Sequence, residues 1–155
     1  MIDKKLFKKS FSLPFDRSGF IKKGQTWDFF GKDVIVVVNL QKCDWGEYYF
    51  INVGFYLKAF GEVDFPLDNQ CHLGYRAENF FPEKRGLILV GCSLEKGTPE
   101  ILADLVEFLD DQFIPFLKEC TEVSKLQELM AKGILNRGLV LREARRYLSG
   151  SESVT

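Results

Sequence analysis

Two adjacent strand patterns joined by a turn constrain this chain more than any other feature. The segment Asp33 to Phe60 reads DVIVVVNLQKCDWGEYYFINVGFYLKAF. Its first half, Val34 to Lys42, is apolar and β-branched, and its second half, Glu47 to Leu57, is aromatic and β-branched. Both compositions are typical of strands that are half buried in a sheet. Between them Cys43-Asp44-Trp45-Gly46 supplies turn residues, so the segment predicts a long β-hairpin.

The alternation of side chains along this hairpin sorts them onto two faces. Successive strand side chains point to opposite sides, and pairing Lys42 with Glu47 places Asn39 opposite Phe50. One face is then apolar except for a tyrosine hydroxyl, and carries Val34, Val36, Val38, Leu40, Tyr49, Ile51, Val53 and Phe55. The other face mixes carboxamides with aromatic rings, and carries Ile35, Val37, Asn39, Gln41, Tyr48, Phe50, Asn52, Gly54 and Tyr56. A one-residue slip would put an amide into the apolar face at a cost of roughly 1–3 kcal/mol, which favours this division.

Further strands and a short helix are predicted around the hairpin. Apolar residues at helical spacing predict an amphipathic helix over about residues 3–12, stopped or kinked by Pro14. Gly24 to Phe30 predicts a strand, and Gln70 to Glu78 predicts a short edge strand. The run Leu-Ile-Leu-Val within Arg85 to Glu95 predicts another buried strand.

The C-terminal third of the chain predicts helices. Thr98 is an expected N-cap, and an apolar stripe follows it until Pro115 kinks or restarts the helix. Glu122 to Lys132 predicts a second helix ended by glycine, and Arg137 to Leu148 predicts a last helix capped by Asn136.

Together these patterns predict a single α+β domain over residues 1–150, with a frayed tail over 151–155. A mainly antiparallel sheet of four to five strands packs on the C-terminal helices, beside a short N-terminal helix. The second sheet face is expected to be partly open, with the N-terminal helix or the loop from Gly61 to Asn69 over it.

Composition excludes several classes of protein. The 155 residues carry a net charge of −1, which predicts no nucleic-acid partner, and no apolar run approaches the roughly 20 residues that span a bilayer. The lysines of the first 23 residues are interpreted as an exposed helix face rather than a nucleic-acid arm. No cofactor or metal site is predicted, because the four scattered cysteines fit no zinc spacing. They are expected to be reduced thiols in a cytoplasmic protein.

Asn39, Gln41 and Asn52 form the most distinctive polar group, because the pairing sets them on one face with Tyr48 and Tyr56. They are interpreted either as contacts for a ligand or partner, or as an internal network that fixes register. His72, the one histidine, is expected at the sheet edge. Adjacent strand residues face opposite ways, so His72 and Cys71 make a poor catalytic dyad.

Three segments of the chain resemble a known bacterial family. They are SGFIKKGQTW (18–27), VVNLQKCDWG (37–46) and YYFINVGFYL (48–57). Their glycine-phenylalanine pair, Asn-x-Gln-Lys strand and aromatic-x-Asn-x-Gly strand resemble the family known as domain of unknown function 4304. Cys71-His72 and Arg76 resemble a later segment of that family. The resemblance implies a fold, a bacterial origin and a cytoplasmic setting, and it carries no activity.

The function predicted from the sequence is a non-enzymatic protein-interaction domain, with an immunity-type role against toxins as an analogy. The alternative is a small ligand-binding domain or enzyme with a pocket around His72, Asn39, Gln41 and Asn52. The residues expected to bind a protein partner or ligand are Asn39, Gln41, Tyr48, Asn52, Tyr56, His72 and Arg76.

Overall fold

A computed structural model describes residues 1–150, and the tail expected over 151–155 lies outside the described residues. The described chain forms one antiparallel sheet with strands in sequence order. Its six strands are β1 (Ile21–Lys23), β2 (Thr26–Phe30), β3 (Val34–Lys42), β4 (Tyr49–Leu57), β5 (Leu73–Arg76) and β6 (Leu139–Val140). The α+β class is confirmed, with a strand count slightly above the predicted four to five.

Of the six helices within residues 1–150, one precedes the sheet, four lie between β5 and β6, and one follows β6. They are α1 (Lys4–Asp16), α2 (Arg85–Gly91), α3 (Pro99–Phe108), α4 (Ile114–Glu119), α5 (Val123–Ala131) and α6 (Arg142–Ser149). A π-helical segment, Leu109–Phe113, joins α3 to α4 just before Pro115. Thr98 accepts a hydrogen bond from the Ile101 N–H at 3.2 Å, which confirms the predicted N-cap.

The division of the hairpin faces is confirmed, whereas its predicted register is wrong by two residues. Asn39 lies opposite Asn52, and Lys42 lies opposite Tyr49 rather than Glu47. The shift is even, so each side chain keeps its face. The Cys43 N–H donates to the Tyr48 carbonyl at 2.9 Å and closes the hairpin, while the Leu94 N–H donates to the Glu47 carbonyl at 2.8 Å. Tyr48 also forms a β-bridge with Ser93.

The apolar face of the hairpin forms one side of the main hydrophobic core, and α1 packs against that face. Phe7, Phe11 and Phe15 are buried along α1, and the Phe11 and Phe15 rings contact Trp27 at centroid distances of 5.4 and 5.6 Å. The helix continues through Pro14 to Asp16, past its predicted end. Burial of Phe15 holds this last turn, so the predicted stop at proline is wrong.

The segment predicted as a strand over Arg85 to Glu95 is instead helix α2, and this prediction is corrected. A four-residue apolar run has no period that separates a strand from a helix. Gly91 packs so closely on α3 that an added Cβ would lie 3.0 Å from the Leu105 side chain. Helix α2 therefore buries Ile88 and Gly91 against the neighbouring helix instead of joining the sheet.

The predicted last helix over Arg137 to Leu148 is also corrected. Its first part forms a 3-10 turn, Ile134–Arg137, followed by β6, and only α6 is helical. The backbone at Gly138 lies against Tyr75 and the Gly74 carbonyl, where a Cβ would clash. Strand β6 pairs with β5 through Leu73 and Gly74, so β5 is not the edge strand that the sequence predicted.

The second sheet face is covered over only part of its length. The loop between β4 and β5 lies over Ile35 and Val37, where Cys71 and Val63 complete a small separate apolar cluster. Gly54 allows this approach, since an added Cβ would lie 2.6 Å from the Cys71 sulfur. The predicted loop cover is therefore present, while the N-terminal helix lies on the other face. Across residues 1–150, no helix is both long and apolar enough to span a membrane.

Candidate functional site

The uncovered end of the second face presents a surface that we call the amide–aromatic patch. It consists of Asn39, Gln41, Tyr48, Phe50, Asn52 and Arg76. Strands β3, β4 and β5 bring these residues together, because Asn39 pairs with Asn52 and Asn52 pairs with Arg76 on its other side. Gln41 and Tyr48 are exposed, and the other four side chains are half-buried.

The three predicted carboxamides are joined by hydrogen bonds. The Asn52 Nδ2 group donates to Asn39 Oδ1 at 3.2 Å and to Gln41 Oε1 at 2.9 Å. The Asn39 Nδ2 group donates to the Gln25 carbonyl at 3.3 Å and to Thr26 Oγ1 at 3.1 Å. Asn39 is therefore used internally and ties β2, β3 and β4 together. The internal network weighed from the sequence is present.

Two of the carboxamides keep unused hydrogen-bonding groups at the surface. Among the described residues, Gln41 Nε2 and Asn52 Oδ1 have no partner. They line an open cleft of about 340 Å³, together with Asp68, Arg76 and Asn79. The cleft thus offers donors, acceptors, one cation and one carboxylate.

Arg76 is fixed in a specific position on this surface. Its guanidinium carbon lies 3.8 Å from the centroid of the Phe50 ring, a cation–π stacking distance. Its backbone N–H donates to Asn79 Oδ1 at 2.7 Å. Its Nη1 atom is buried and has no hydrogen-bond partner among the described residues. The remainder of the guanidinium lines the open cleft, and a guanidinium held in place by stacking is well suited to bind a carboxylate or another acceptor.

Aromatic side chains extend the patch toward the hairpin loop. The Tyr48 and Phe50 rings pack edge to face with centroids 5.4 Å apart. Trp45, in the same loop, is 94% exposed and was not among the predicted site residues. The sequence signal that could have identified Trp45 is the presence of a tryptophan in the predicted turn. A hydrogen bond from Tyr48 lowers the pKa of the neighbouring Cys43 thiol.

Tyr56 and His72 lie away from the patch. Tyr56 is four residues beyond Asn52 on β4, which is about 13 Å along a strand. His72 Nδ1 accepts the Leu57 N–H at 3.0 Å, and its ring contacts Tyr56 and Phe60 at centroid distances of 4.6 and 4.9 Å. Burial lowers the pKa of His72, opposed by Glu143. The cleft that Gln41 and Asn52 line includes neither His72 nor Asn39, so this cleft is not the four-residue pocket weighed from the sequence.

Asp28 is a buried carboxylate that the sequence did not single out. It has no exposed surface, and neither of its oxygens has a partner among the described residues. Desolvation raises its pKa to about 7, opposed by Lys23. It lies on β2 opposite Val37, in the part of the second face that the β4–β5 loop covers.

The four cysteines are free thiols, separate from one another. Burial raises the pKa of the Cys71 thiol, which donates to the Leu67 carbonyl at 3.5 Å. All four cysteines are buried and unbridged. Within residues 1–150, no group of three or more histidine, cysteine or acidic side chains is placed to hold a metal ion.

The fold and this surface define an α+β protein with a six-stranded antiparallel sheet and an uncovered amide–aromatic patch. The family model described as Domain of unknown function (DUF4304) matches residues 11–119. The chain belongs to this family, as the resemblance implied. Searches of curated proteins and of solved structures give no match.

Proposed function

We propose that this chain is a non-enzymatic protein-interaction domain of a bacterial cell, and that the amide–aromatic patch with Trp45 contacts the partner. The observation that carries the proposal is the Arg76 guanidinium, which stacks on Phe50 and lines the open cleft, on the same surface as the almost fully exposed Trp45. Tryptophan, tyrosine and arginine are the residue types that dominate binding energy at protein interfaces.

The hydrogen bonding of the carboxamides Gln41 and Asn52 supports the same proposal. The internal hydrogen bonds hold Gln41 and Asn52 in fixed positions while leaving Nε2 and Oδ1 unused. A surface that is ordered before binding loses less conformational entropy on association. We assign no catalytic role, since His72 is engaged with the backbone of β4 and sits outside the cleft.

The proposal also covers the domain organisation and the cellular location of the protein. We propose that residues 1–150 form one domain, since one core cluster includes side chains from Ile2 to Leu148. A cytoplasmic location agrees with four buried, unbridged thiols. An immunity-type role remains the specific form of this hypothesis, by analogy with other small bacterial families.

The test is affinity purification from the native host with three tagged proteins. Wild type is compared with the patch variant Trp45→Ala/Arg76→Ala and with Leu6→Ala, which removes a half-exposed apolar side chain from α1, away from the patch. We expect wild type and Leu6→Ala to retain a stoichiometric partner and the patch variant to lose it. Retention of the same partner by a folded patch variant would refute the patch as its binding surface.

A small ligand in the cleft is the second candidate function. The observation that favours it is the convergence of Gln41, Asn52, Asp68 and Arg76 on one cleft of about 340 Å³. Ligand-observed NMR with polar metabolites, including free amino acids, tests it. Binding that Gln41→Ala weakens would favour this candidate, and binding that is unchanged by Gln41→Ala would exclude the cleft.

A further inference from the structure

An apolar groove runs between two helices on the side of the sheet opposite the patch. Helices α1 and α3 lie side by side, and the groove between them has a volume of about 360 Å³. Leu6 and Leu13 line it from α1, and Leu102 and Val106 line it from α3. Leu6 and Leu13 are 46% and 50% exposed. Together these side chains form one contiguous apolar surface along the two helices.

The two helices run in the same direction. At one end the Ile2 N–H donates to the carbonyl of Leu94, shortly before α3, at 2.8 Å. At the other end Arg17 pairs with Asp110 at 3.2 Å. These two contacts align α1 and α3 along their axes. Lys9 of α1 therefore lies at the same height as the first turns of α3, which contain Glu100.

The helices that form this groove carry charges of opposite sign. Helix α1 carries Lys4, Lys5, Lys8 and Lys9, whereas α3 and the residues after it carry Glu100, Asp104, Glu107, Asp110 and Asp111. Among residues 1–150, Arg17–Asp110 is the one ion pair that joins these two sets of elements, and it lies at their C-terminal ends. Lys5, Lys9 and Glu100 are exposed. Basic and acidic charges thus flank the groove without neutralising each other across it.

We infer that the groove is an interface with a second copy of this chain. A two-fold axis parallel to the groove sets α1 of one copy over α3 of the other at the same level. The leucines of each copy then cover the groove of the other, and Lys9 of each copy approaches Glu100 of the second copy. The arrangement closes on itself because both copies use the same surface. This inference is independent of the partner proposed for the patch.

The size of the surface sets the expected strength of the dimer. A 13-residue helix is about 20 Å long and two helices side by side are about 20 Å wide, so the strip covers roughly 400 Å² per copy. A standard stable interface buries about 800 Å² per partner. We therefore expect a weak dimer that weakens further as salt screens its charges.

Sedimentation equilibrium of the full chain tests the inference. We expect concentration-dependent dimers at about 50 mM salt and mostly monomers at about 500 mM salt. Lys9→Glu alone and Glu100→Lys alone should each raise the dissociation constant at least fivefold. Mixing these two variants should restore association, because each α1–α3 contact in the heterodimer then again pairs opposite charges.

Controls keep folding and binding apart. Thermal melts by circular dichroism verify that each variant is folded, and Leu13→Ala, at a half-exposed position, provides a variant that weakens the dimer without changing charge. Trp45→Ala/Arg76→Ala should leave the dimer intact. A wild-type chain that stays monomeric at several hundred micromolar at low salt would overturn the inference. Dimers that none of the groove variants affects, or a mixture with no preference for the heterodimer, would also overturn it.

Discussion

Asp28 shows how one residue can couple this fold to pH. Its side chain has no exposed surface, and its oxygens have no hydrogen-bond partner within residues 1–150. A buried carboxylate without partners is more stable protonated, since desolvation penalises the charged form. This desolvation is why its pKa rises to about 7 in the folded protein.

The raised pKa of Asp28 predicts a fall in stability as pH rises. Between about pH 4 and about 7, Asp28 is protonated in the folded state and ionised in the unfolded state. The stabilisation of the folded protein that comes from this proton is therefore complete below about pH 4 and is lost by about pH 7. The contribution of Asp28 to the free energy of unfolding should fall by about 1.4 kcal/mol per pH unit over this window.

The variant Asp28→Asn tests this expectation, because an amide of the same shape does not titrate. Urea unfolding at several pH values should show a slope for wild type that the variant lacks between about pH 4 and 7. A slope of the same size in both proteins would show that Asp28 is not its source.

Asn52 is the central member of the carboxamide network, and its removal should cost more than that of its neighbour. Its Nδ2 group donates to both Asn39 and Gln41. We expect Asn52→Ala to lower the free energy of unfolding by about 1–2 kcal/mol, because the loss leaves the half-buried Asn39 oxygen unpaired. Gln41→Ala, at an exposed position, should cost less than about 1 kcal/mol. Equal losses in urea denaturation would contradict this ranking.

At the scale of secondary structure, local patterns predicted the hairpin faces and the Thr98 cap but not long-range pairings. The predicted Asn136 cap is wrong, because α6 begins at Arg142 after Leu141. Hairpin parity follows from alternation alone, so the core face was predicted correctly. Glu47 and Tyr48, at the start of the second hairpin strand, pair with Leu94 and Ser93, which are more than 40 residues away in the chain. No local sequence pattern predicts these pairings. The pairing of β6 with β5 is likewise not predicted by any local pattern.

The candidate site was predictable to a similar extent. Parity placed Asn39, Gln41 and Asn52 on one face, and the structure joins them by hydrogen bonds. His72 was separated from them because its position depends on where β5 joins the sheet. The sequence did not single out Asp28, whose position opposite Val37 and whose burial depend on how β2 pairs with β3 and on the covering loop.

The contact between β4 and the covering loop can be tested with two glycines that lie opposite each other. Gly54 and Gly74 are paired on neighbouring strands, yet an added Cβ would lie 2.6 Å from the Cys71 sulfur at Gly54, and would contact nothing within 4 Å at Gly74. Gly54→Ala should therefore displace the loop and expose Cys71.

The expected result is faster alkylation of Cys71 in Gly54→Ala than in wild type, measured by mass spectrometry of the labelled peptides. Gly74→Ala is the matched control and should stay within about twofold of the wild-type labelling rate, since surface changes are usually within ±0.5 kcal/mol. Unchanged labelling in a folded Gly54→Ala would mean that the loop adapts without opening.

At the scale of the whole molecule, the sheet separates two surfaces of different character. The amide–aromatic patch lies on the second face, while α1 and α3 pack through the core on the first face. Occupation of the groove leaves the patch accessible, so a dimer would present two patches. Binding to both patches of a dimer would increase avidity for a partner that is itself multivalent.

Side-chain footprinting of the chain with its purified partner tests the central claim most directly. Hydroxyl radicals oxidise exposed aromatic rings, and the two tryptophans differ sharply: Trp45 is 94% exposed and Trp27 is 1% exposed. The account predicts that the partner protects Trp45 and Tyr48 from oxidation, while Leu6 and Leu13 in the groove keep their reactivity at protein concentrations below those at which the chain dimerises. Unchanged oxidation of Trp45 and Tyr48 in a saturated complex would contradict the claim that the patch is the binding surface.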